Sequence, residues 1–274
     1  MFVDEPATPT VARWLLAVAA ALVVVPLTVV LVVLGLVIGM GWITMPVSVV
    51  LAIAVGGLVV WQRARTADAR VLAEVGPVTA VPADSADECL ARFRNLVDGL
   101  CLSIGVAEPT LAVIDDPAPN AMAVAAGDRH TVIATRSVLE QLDRLALEGV
   151  VAELLIRLRN GDAERATLVA ALFGGPLVEG PLAGPLRPLT AMVYDRAIDE
   201  HRDISADLQA VSVTRYPPGL RSGLEVIAGA ATNETAPGKM GPGFDHLWIV
   251  PPGRARRLFD FAPLDWRIDV LLEI

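Results

Sequence analysis

The pattern of apolar and polar positions divides this chain into two unequal parts. Near the N-terminus the sequence turns strongly apolar, and no charged residue occurs between Arg13 and Arg63. One membrane-spanning helix needs about 20 apolar residues, so this run is long enough for two. Glycines interrupt the run near its middle. We therefore predict two spans, at residues 14–38 and 43–61, joined by a very short turn.

The few charged residues that flank the apolar run predict its orientation. Arg13 precedes the first span, whereas Arg63, Arg65 and Arg70 follow the second, and the turn between the spans has no basic residue. Because basic residues favour the cytoplasmic side, we predict a multi-pass protein of the cell membrane with both termini in the cytoplasm. A cleaved signal peptide fits less well, since the run is too long and no clear cleavage site precedes the second span.

Beyond the apolar run the pattern is that of a domain with many helices and few strands. Apolar residues recur at helical spacing over residues 84–104 and 148–162, and we also predict a helix over residues 194–210. Short apolar runs at 111–114 and 130–134 predict strands. The chain is therefore divided into a tail at 1–10, a transmembrane hairpin at 11–62, a juxtamembrane linker at 63–80 and a domain at 81–274.

Composition excludes one broad class of partner. The chain is 54% hydrophobic with a mean hydropathy of +0.56, and most of this excess comes from the apolar run. The net charge is −9, and the sequence has neither a basic run nor basic residues interleaved with aromatic ones. Because nucleic-acid binding needs a basic surface, we expect no nucleic-acid partner.

The stretch at residues 148–162, EGVVAELLIRLRNGD, is the most informative part of the sequence. Apolar residues follow a helical period, and Asn160-Gly161 supplies a helix stop. The stretch resembles the zinc-binding helix of the HtpX-like membrane metallopeptidases, whose pattern is approximately EGVIAHELAHIRNGD. In that comparison Glu153 stands at the first zinc histidine, Leu154 at the general-base glutamate and Arg157 at the second histidine.

These three differences remove the chemistry of the HExxH helix. Two histidines four residues apart share one helix face and can hold one zinc ion. Here that pair is Glu153 and Arg157, and a guanidinium does not lose its proton and so cannot ligate a cation. The chain has three histidines, and no two are four residues apart. We therefore expect no metal, no other cofactor and no catalytic residue here.

The resemblance also places Asp203 near this helix. The segment RDISAD at 202–207 corresponds to the family's REYEAD, whose first glutamate is the third zinc ligand, and Asp203 takes that position. The resemblance thus implies a degenerate former zinc site at Glu153, Leu154, Arg157 and Asp203. Glu153 precedes Arg157 by four residues, the favourable order for a helical ion pair, so we predict that Glu153, Arg157 and Asp203 form a charge cluster.

Other segments carry the resemblance along the chain. The segment at 119–123 matches the family's PNAFA, an edge strand beside the active cleft, which implies a former cleft edge at Asn120, Ala121, Met122 and Ala123. A plain strand in a small sheet is the alternative, and the loss of the zinc ligands favours it. Segments at 219–230, 246–250 and 261–268 also match family segments.

The apolar stretch at 166–192 is where many family members have two further membrane helices. Here glycine and proline break every run before it reaches spanning length, so we predict that this stretch does not cross the bilayer. A position on the membrane surface and a loop across the former cleft both remain open.

These observations lead to a specific expectation. The fold class is α+β, mainly α, with a two-helix transmembrane hairpin and a gluzincin-like cytoplasmic domain with a small β-sheet. We expect no enzyme but a membrane anchor and protein-interaction module in envelope stress. Length, the two spans and composition also resemble the PspM-type phage-shock membrane proteins of actinobacteria, which implies a PspA-type scaffold as partner. The alternatives are a regulatory subunit of an active HtpX-like peptidase and a hydrolase with an unrecognised site.

Overall fold

The computed structural model describes residues 9–38, 41–179, 181, 183–199, 201–230, 240–251 and 263–274. Most of the predicted N-terminal tail, the first half of the predicted turn (39–40) and Phe261 lie outside these ranges. Bounds and contacts below refer to the described residues.

The N-terminal apolar run forms two long helices that pack along each other. Helix α1 spans Pro9–Val37 and helix α2 spans Gly41–Arg65. Gly56 makes this packing close, because a Cβ added there would lie 2.5 Å from Val24 Cγ2. Most of the remaining surface of both helices consists of exposed valine, leucine and isoleucine side chains. Within the described ranges these are the two helices long and apolar enough to cross a membrane, as predicted.

The rest of the described chain, here called the main domain, is mainly helical. The α-helices described there are α3 (Ala67–Val75), α4 (Glu88–Ile104), α5 (Arg136–Gln141), α6 (Arg144–Arg159), α7 (Asp162–Phe173), α8 (Pro176–Glu179), α9 (Ala183–Ala197), α10 (Arg202–Thr214), α11 (Pro217–Ala230) and α12 (Leu264–Glu273). A 3-10 helix covers Pro242–Leu247. The predicted mainly helical class is confirmed.

One small sheet completes the main domain. Its strands are β1 (Thr79–Ala80), β2 (Thr110–Ile114), β3 (Ala121–Ala126) and β4 (Arg129–Thr135). They lie in the order β1-β2-β4-β3, with β2 and β4 parallel and the other pairs antiparallel. Strand β3 is therefore at the end of the sheet, yet all of its residues are buried.

Helix α6 is the centre of the domain, because every residue from 149 to 158 is buried. It begins where Asp143 Oδ1 accepts a hydrogen bond from the Ala146 N–H at 2.8 Å, and it stops before Gly161, whose φ is 73°. Helices α4, α10 and α11 and strand β3 all pack on it. At Gly149 the backbone of α11 comes so close that an added Cβ would lie 2.6 Å from Leu220 N.

The structure corrects one predicted helix. The expected helix at 194–210 is interrupted, since α9 ends at Ala197 and α10 begins at Arg202. Between them the Asp199 carboxylate accepts a hydrogen bond from the His201 N–H at 2.9 Å, a local bond that competes with helix continuation. The stretch at 166–192 is divided among α7, α8 and α9, and the described part of it contains no helix that could span a membrane.

Candidate functional site: a buried ionic cluster

Glu153 and Arg157 form a buried ion pair on helix α6. Arg157 donates from Nε to Glu153 Oε1 at 2.6 Å, and its Nη2 lies 2.5 Å from the same oxygen. The side chains are 5% and 0% exposed for Arg157 and Glu153. The four-residue spacing brings them onto one helix face. Leu154, the third substituted position, is buried in the apolar core.

Helix α10 adds a second acidic and a second basic group. Asp203 Oδ1 lies 3.2 Å from Arg157 Nη2, so the contact predicted among Glu153, Arg157 and Asp203 is present. Arg202 donates from Nε to the same Asp203 oxygen at 3.1 Å, and from Nη2 to the backbone oxygen of His246 at 2.6 Å. Both side chains are buried.

Helix α12 contributes the largest set of contacts through one arginine. Arg267 donates from Nε and Nη2 to the two oxygens of Asp207 at 2.7 and 2.8 Å, a bidentate arrangement. Its Nη1 donates to the Ile249 backbone oxygen at 2.7 Å, and its Nη2 lies 3.5 Å from Glu153 Oε1. Arg267 therefore links α6, α10 and the chain at residue 249.

Together these six side chains form what we call the ionic cluster. Its members are Glu153, Arg157, Arg202, Asp203, Asp207 and Arg267, all buried. Three are acidic and three basic, so their formal charges balance. The sequence reasoning missed Arg202, Asp207 and Arg267. The spacing of Asp203 and Asp207 on one helix face was a usable signal, whereas nothing local connected Arg267 to them.

The carboxyl groups of the cluster differ in their protonation equilibria. Burial raises the pKa of Glu153 to about 7, although Arg157 and Arg267 oppose that shift. Burial also acts to raise the pKa of Asp203, but Arg157, Arg202 and Arg267 outweigh it and lower that pKa to about 2. Glu153 Oε2 has no hydrogen-bond partner within the described chain, which agrees with the raised pKa of this carboxyl group.

The residues of the cluster do not fit a zinc ion. Glu153 and Asp203 stand at two of the ligand positions that the resemblance implies, and both carboxylates contact the guanidinium of Arg157. Arg267 approaches Glu153 from helix α12. A guanidinium carries a positive charge and offers no lone pair for a metal. Within the part of the chain that the structure describes, no group of three His, Cys, Asp or Glu side chains is placed to hold a metal.

The four residues proposed as a former cleft edge are all buried, and Ile249 links them to the cluster because its backbone oxygen accepts from Arg267. Asn120 Nδ2 donates to the Val250 backbone oxygen at 2.8 Å, and the Ile249 N–H donates to the Ala121 oxygen at 2.9 Å. Met122 and Trp248 form an antiparallel bridge. The edge of β3 at Asn120, Ala121, Met122 and Ala123 is thus covered by the chain itself.

His246 lies near the cluster but outside it. Its Nε2 is 3.0 Å from the Ala166 backbone oxygen, and its ring makes an edge contact with Tyr194. Burial and the charge of Arg202 lower the pKa of His246 to about 3. The imidazole is therefore neutral at physiological pH.

The described chain combines an apolar helical hairpin with a mainly helical domain that contains a small sheet. At the centre of that domain is a helix with the frame EGV…RNGD. This combination is typical of a membrane protease-like protein. The chain is 31% identical over 201 residues to a protein named Protease HtpX homolog from Tropheryma whipplei (strain Twist), covering 63% of this chain and 68% of that protein. It is 30% identical over 213 residues to the protein of that name from Ligilactobacillus salivarius, covering 65% and 71%. The chain belongs to the HtpX homologue family.

A third relative extends the matched region. The Protease HtpX homolog of Thermoanaerobacter pseudethanolicus is 27% identical over 243 residues, which cover 76% of this chain and 78% of that protein. No family model matches the chain. No solved structure matches it either.

These relatives contradict the prediction that the chain is not an enzyme. Several proteins at about this identity are named proteases, and substitutions at three positions do not by themselves show a loss of activity. The prediction was wrong in treating the absence of one known ligand set as the absence of any activity. The relatives named here lend no support to the resemblance to phage-shock proteins.

Proposed function

We propose that this chain is a membrane-anchored member of the HtpX protease family that binds polypeptides and acts as a regulatory partner of an HtpX-type protease with an intact HExxH helix. The carrying observation is the contrast within α6. Its sequence frame agrees with the family pattern and it packs on α10, α11 and β3, whereas the resemblance implies that Arg157 stands at the position of a zinc histidine.

The family relationship supports a gluzincin-like domain with a polypeptide-binding role. Residues that determine close packing agree with the family pattern, such as Gly149 against Leu220. Residues that would hold zinc are replaced by an ionic cluster that joins the same helices. Peptide-bond cleavage by this chain, if measured, is expected to be insensitive to chelators, because these residues do not fit the metal.

Two aromatic residues support a membrane position for the hairpin with the domain lying against one of its ends. The Arg196 guanidinium lies 5.5 Å from the ring centroid of Trp14, and that of Arg65 lies 5.2 Å from the ring centroid of Trp61. Tryptophan and arginine favour the headgroup region of a bilayer. Leu15 and Ala19 of α1 are buried together with apolar residues of α7 and α9.

The orientation of the hairpin is part of the proposal. The excess of arginine after the second span supports cytoplasmic termini. A reporter enzyme that is active only in the cytoplasm, fused after Ile274, is expected to be active. A fusion of a reporter that works only outside the membrane should be silent, and activity there would overturn the orientation.

The test of the partnership is affinity purification of the tagged full chain from native membranes, with a tagged two-span protein of unrelated sequence as control. Co-elution of an HExxH-containing HtpX protease is the expected result. Co-elution of a PspA-type scaffold in its place would favour the phage-shock alternative. Absence of any co-eluting protease would overturn the partnership. Chelator-insensitive peptidase activity of the isolated chain would show that it also has a catalytic role of its own.

A further inference from the structure

The outer edge of β3 is closed by a short segment from far along the chain. Residues 248–250 lie against it, with the Ile249 N–H donating to Ala121 O and with Met122 bridged to Trp248 in antiparallel fashion. Asn120 Nδ2 donates to the Val250 oxygen at 2.8 Å, across 130 residues of sequence. We call residues 248–250 the strap. Its three side chains are buried.

The strap closes only one half of the edge. Farther along β3, the Ala125 N–H donates at 3.1 Å to the hydroxyl of Thr167 on α7. That half is covered by a helix of the core, whereas the half at Ala121 is covered by a non-helical segment. The two halves therefore differ in what covers them. The half at Ala121 is covered by a three-residue segment whose side chains are buried in the apolar core, and its backbone hydrogen bond is one that another extended segment could form in its place.

Arg267 connects the strap to the C-terminal helix. Its Nη1 donates to the Ile249 oxygen while the rest of the guanidinium is bound to Asp207. Within α12 the buried side chains are Arg267 and Leu271, and Trp266 and Leu272 are exposed. Leu264 and Ile268 are partly buried against the same core, so α12 is attached through these side chains together, and one of them, Arg267, holds the strap.

We propose that the strap is an internal occupant of the β3 edge, latched by Arg267, and that release of α12 opens the edge at Ala121 to an extended apolar segment of another polypeptide. This inference rests on the proposed polypeptide binding. Addition of a strand to a sheet edge uses backbone hydrogen bonds for affinity and side-chain pockets for selectivity. Trp248 and Ile249, both fully buried, mark apolar positions that the incoming segment would fill.

The test is hydrogen–deuterium exchange of the full chain in lipid nanodiscs, comparing the wild type with Arg267→Lys. Lysine keeps the positive charge of the cluster but cannot serve Asp207 and the Ile249 oxygen with one planar fork. Peptides covering residues 247–251 are expected to exchange roughly tenfold faster, as for loss of one charge-assisted hydrogen bond. Exchange in β4 should not change. Arg159→Lys, on the exposed end of α6, is the matched control.

Binding of a fluorescent unfolded polypeptide, reduced and carboxymethylated α-lactalbumin, is measured on the same samples. Tighter binding to Arg267→Lys than to the wild type is expected. Unchanged exchange at residues 247–251 would overturn the latch and leave the proposed function standing. Faster exchange without any binding of the probe by either protein would overturn the opening for polypeptide and the proposed function together.

A second variant keeps the inference testable if Arg267→Lys does not fold. Asn120→Asp removes the donor to the Val250 oxygen without changing the ionic cluster. It is expected to accelerate exchange of the strap and to strengthen probe binding in the same direction. Exchange like that of the wild type in a folded Asn120→Asp protein would overturn the proposal.

Discussion

The ionic cluster and the ion pairs on the protein surface use the same side chains in different surroundings. On α6, Glu153 and Arg157 are 5% exposed or less, and on α11 Arg221 and Glu225 are 32% and 50% exposed. Both pairs have a spacing of four residues, with N–O distances of 2.5 and 3.4 Å. Sequence spacing alone therefore does not indicate what an ion pair contributes. The number of other charges and the access of water decide that.

The cluster depends on balance, because each charge in it is buried among the others. Removing one surface charge leaves its partner in water, where it is hydrated. Removing one charge of the cluster leaves a buried charge without compensation, which is strongly destabilising. We therefore expect chemically similar substitutions in the cluster and on the surface to lower the free energy of unfolding by very different amounts.

The largest effect is expected from Arg157→Met. The substitution leaves Glu153 and Asp203 near each other without the guanidinium that contacts both. Breaking a buried ion pair from one side destabilises by about 3–5 kcal/mol. The measurement is the thermal and denaturant unfolding of the full chain in detergent. Arg159→Met, on the same helix but exposed, is the control, and an equally small shift in both variants would mean that the cluster does not stabilise the fold.

A smaller effect on the free energy of unfolding is expected from protonation of His246, and this effect depends on pH. The folded-state pKa of His246 is about 3, below the ordinary value of 6.5, so its contribution to stability is present above pH 6.5 and is lost as pH falls toward 3. Between pH 7.5 and 5.0 this loss is about 2 kcal/mol. His246→Gln should remove that part of the pH dependence.

In the same pH range Glu153 changes the free energy of unfolding in the opposite direction to His246. Because the pKa of Glu153 is raised, its contribution is present below pH 4.5 and is lost as pH rises through about 7. Both proteins contain Glu153, so the difference between wild type and His246→Gln isolates the histidine. Parallel stability curves for the two proteins over this pH range would contradict the lowered pKa of His246.

The smallest effect is expected from Arg221→Met. Its partner Glu225 is half exposed, and exposed helical pairs contribute about 0–1 kcal/mol. The same unfolding measurement is used for all variants. A loss as large as that of Arg157→Met would show that exposure does not separate the two kinds of pair.

Local sequence patterns predicted the parts of the structure that depend on near neighbours. Hydropathy was sufficient for the two candidate membrane helices, and helical spacing was sufficient for the contact of Glu153 with Arg157. Asp203 came from the family resemblance. The remaining members depend on tertiary packing, since Arg267 is 60 residues from Asp207. The closed edge of β3 depends on a contact across 130 residues, which no local pattern contains.

The central claim is that an ionic cluster joins α6, α10 and α12 at the positions that the sequence resemblance assigns to zinc ligands. The most direct measurement is the zinc content of the full chain purified from zinc-supplemented cells, together with its melting temperature before and after treatment with a chelator. We predict far less than one zinc per chain and an unchanged melting temperature. One tightly held zinc per chain, whose removal lowers the melting temperature, would contradict the account.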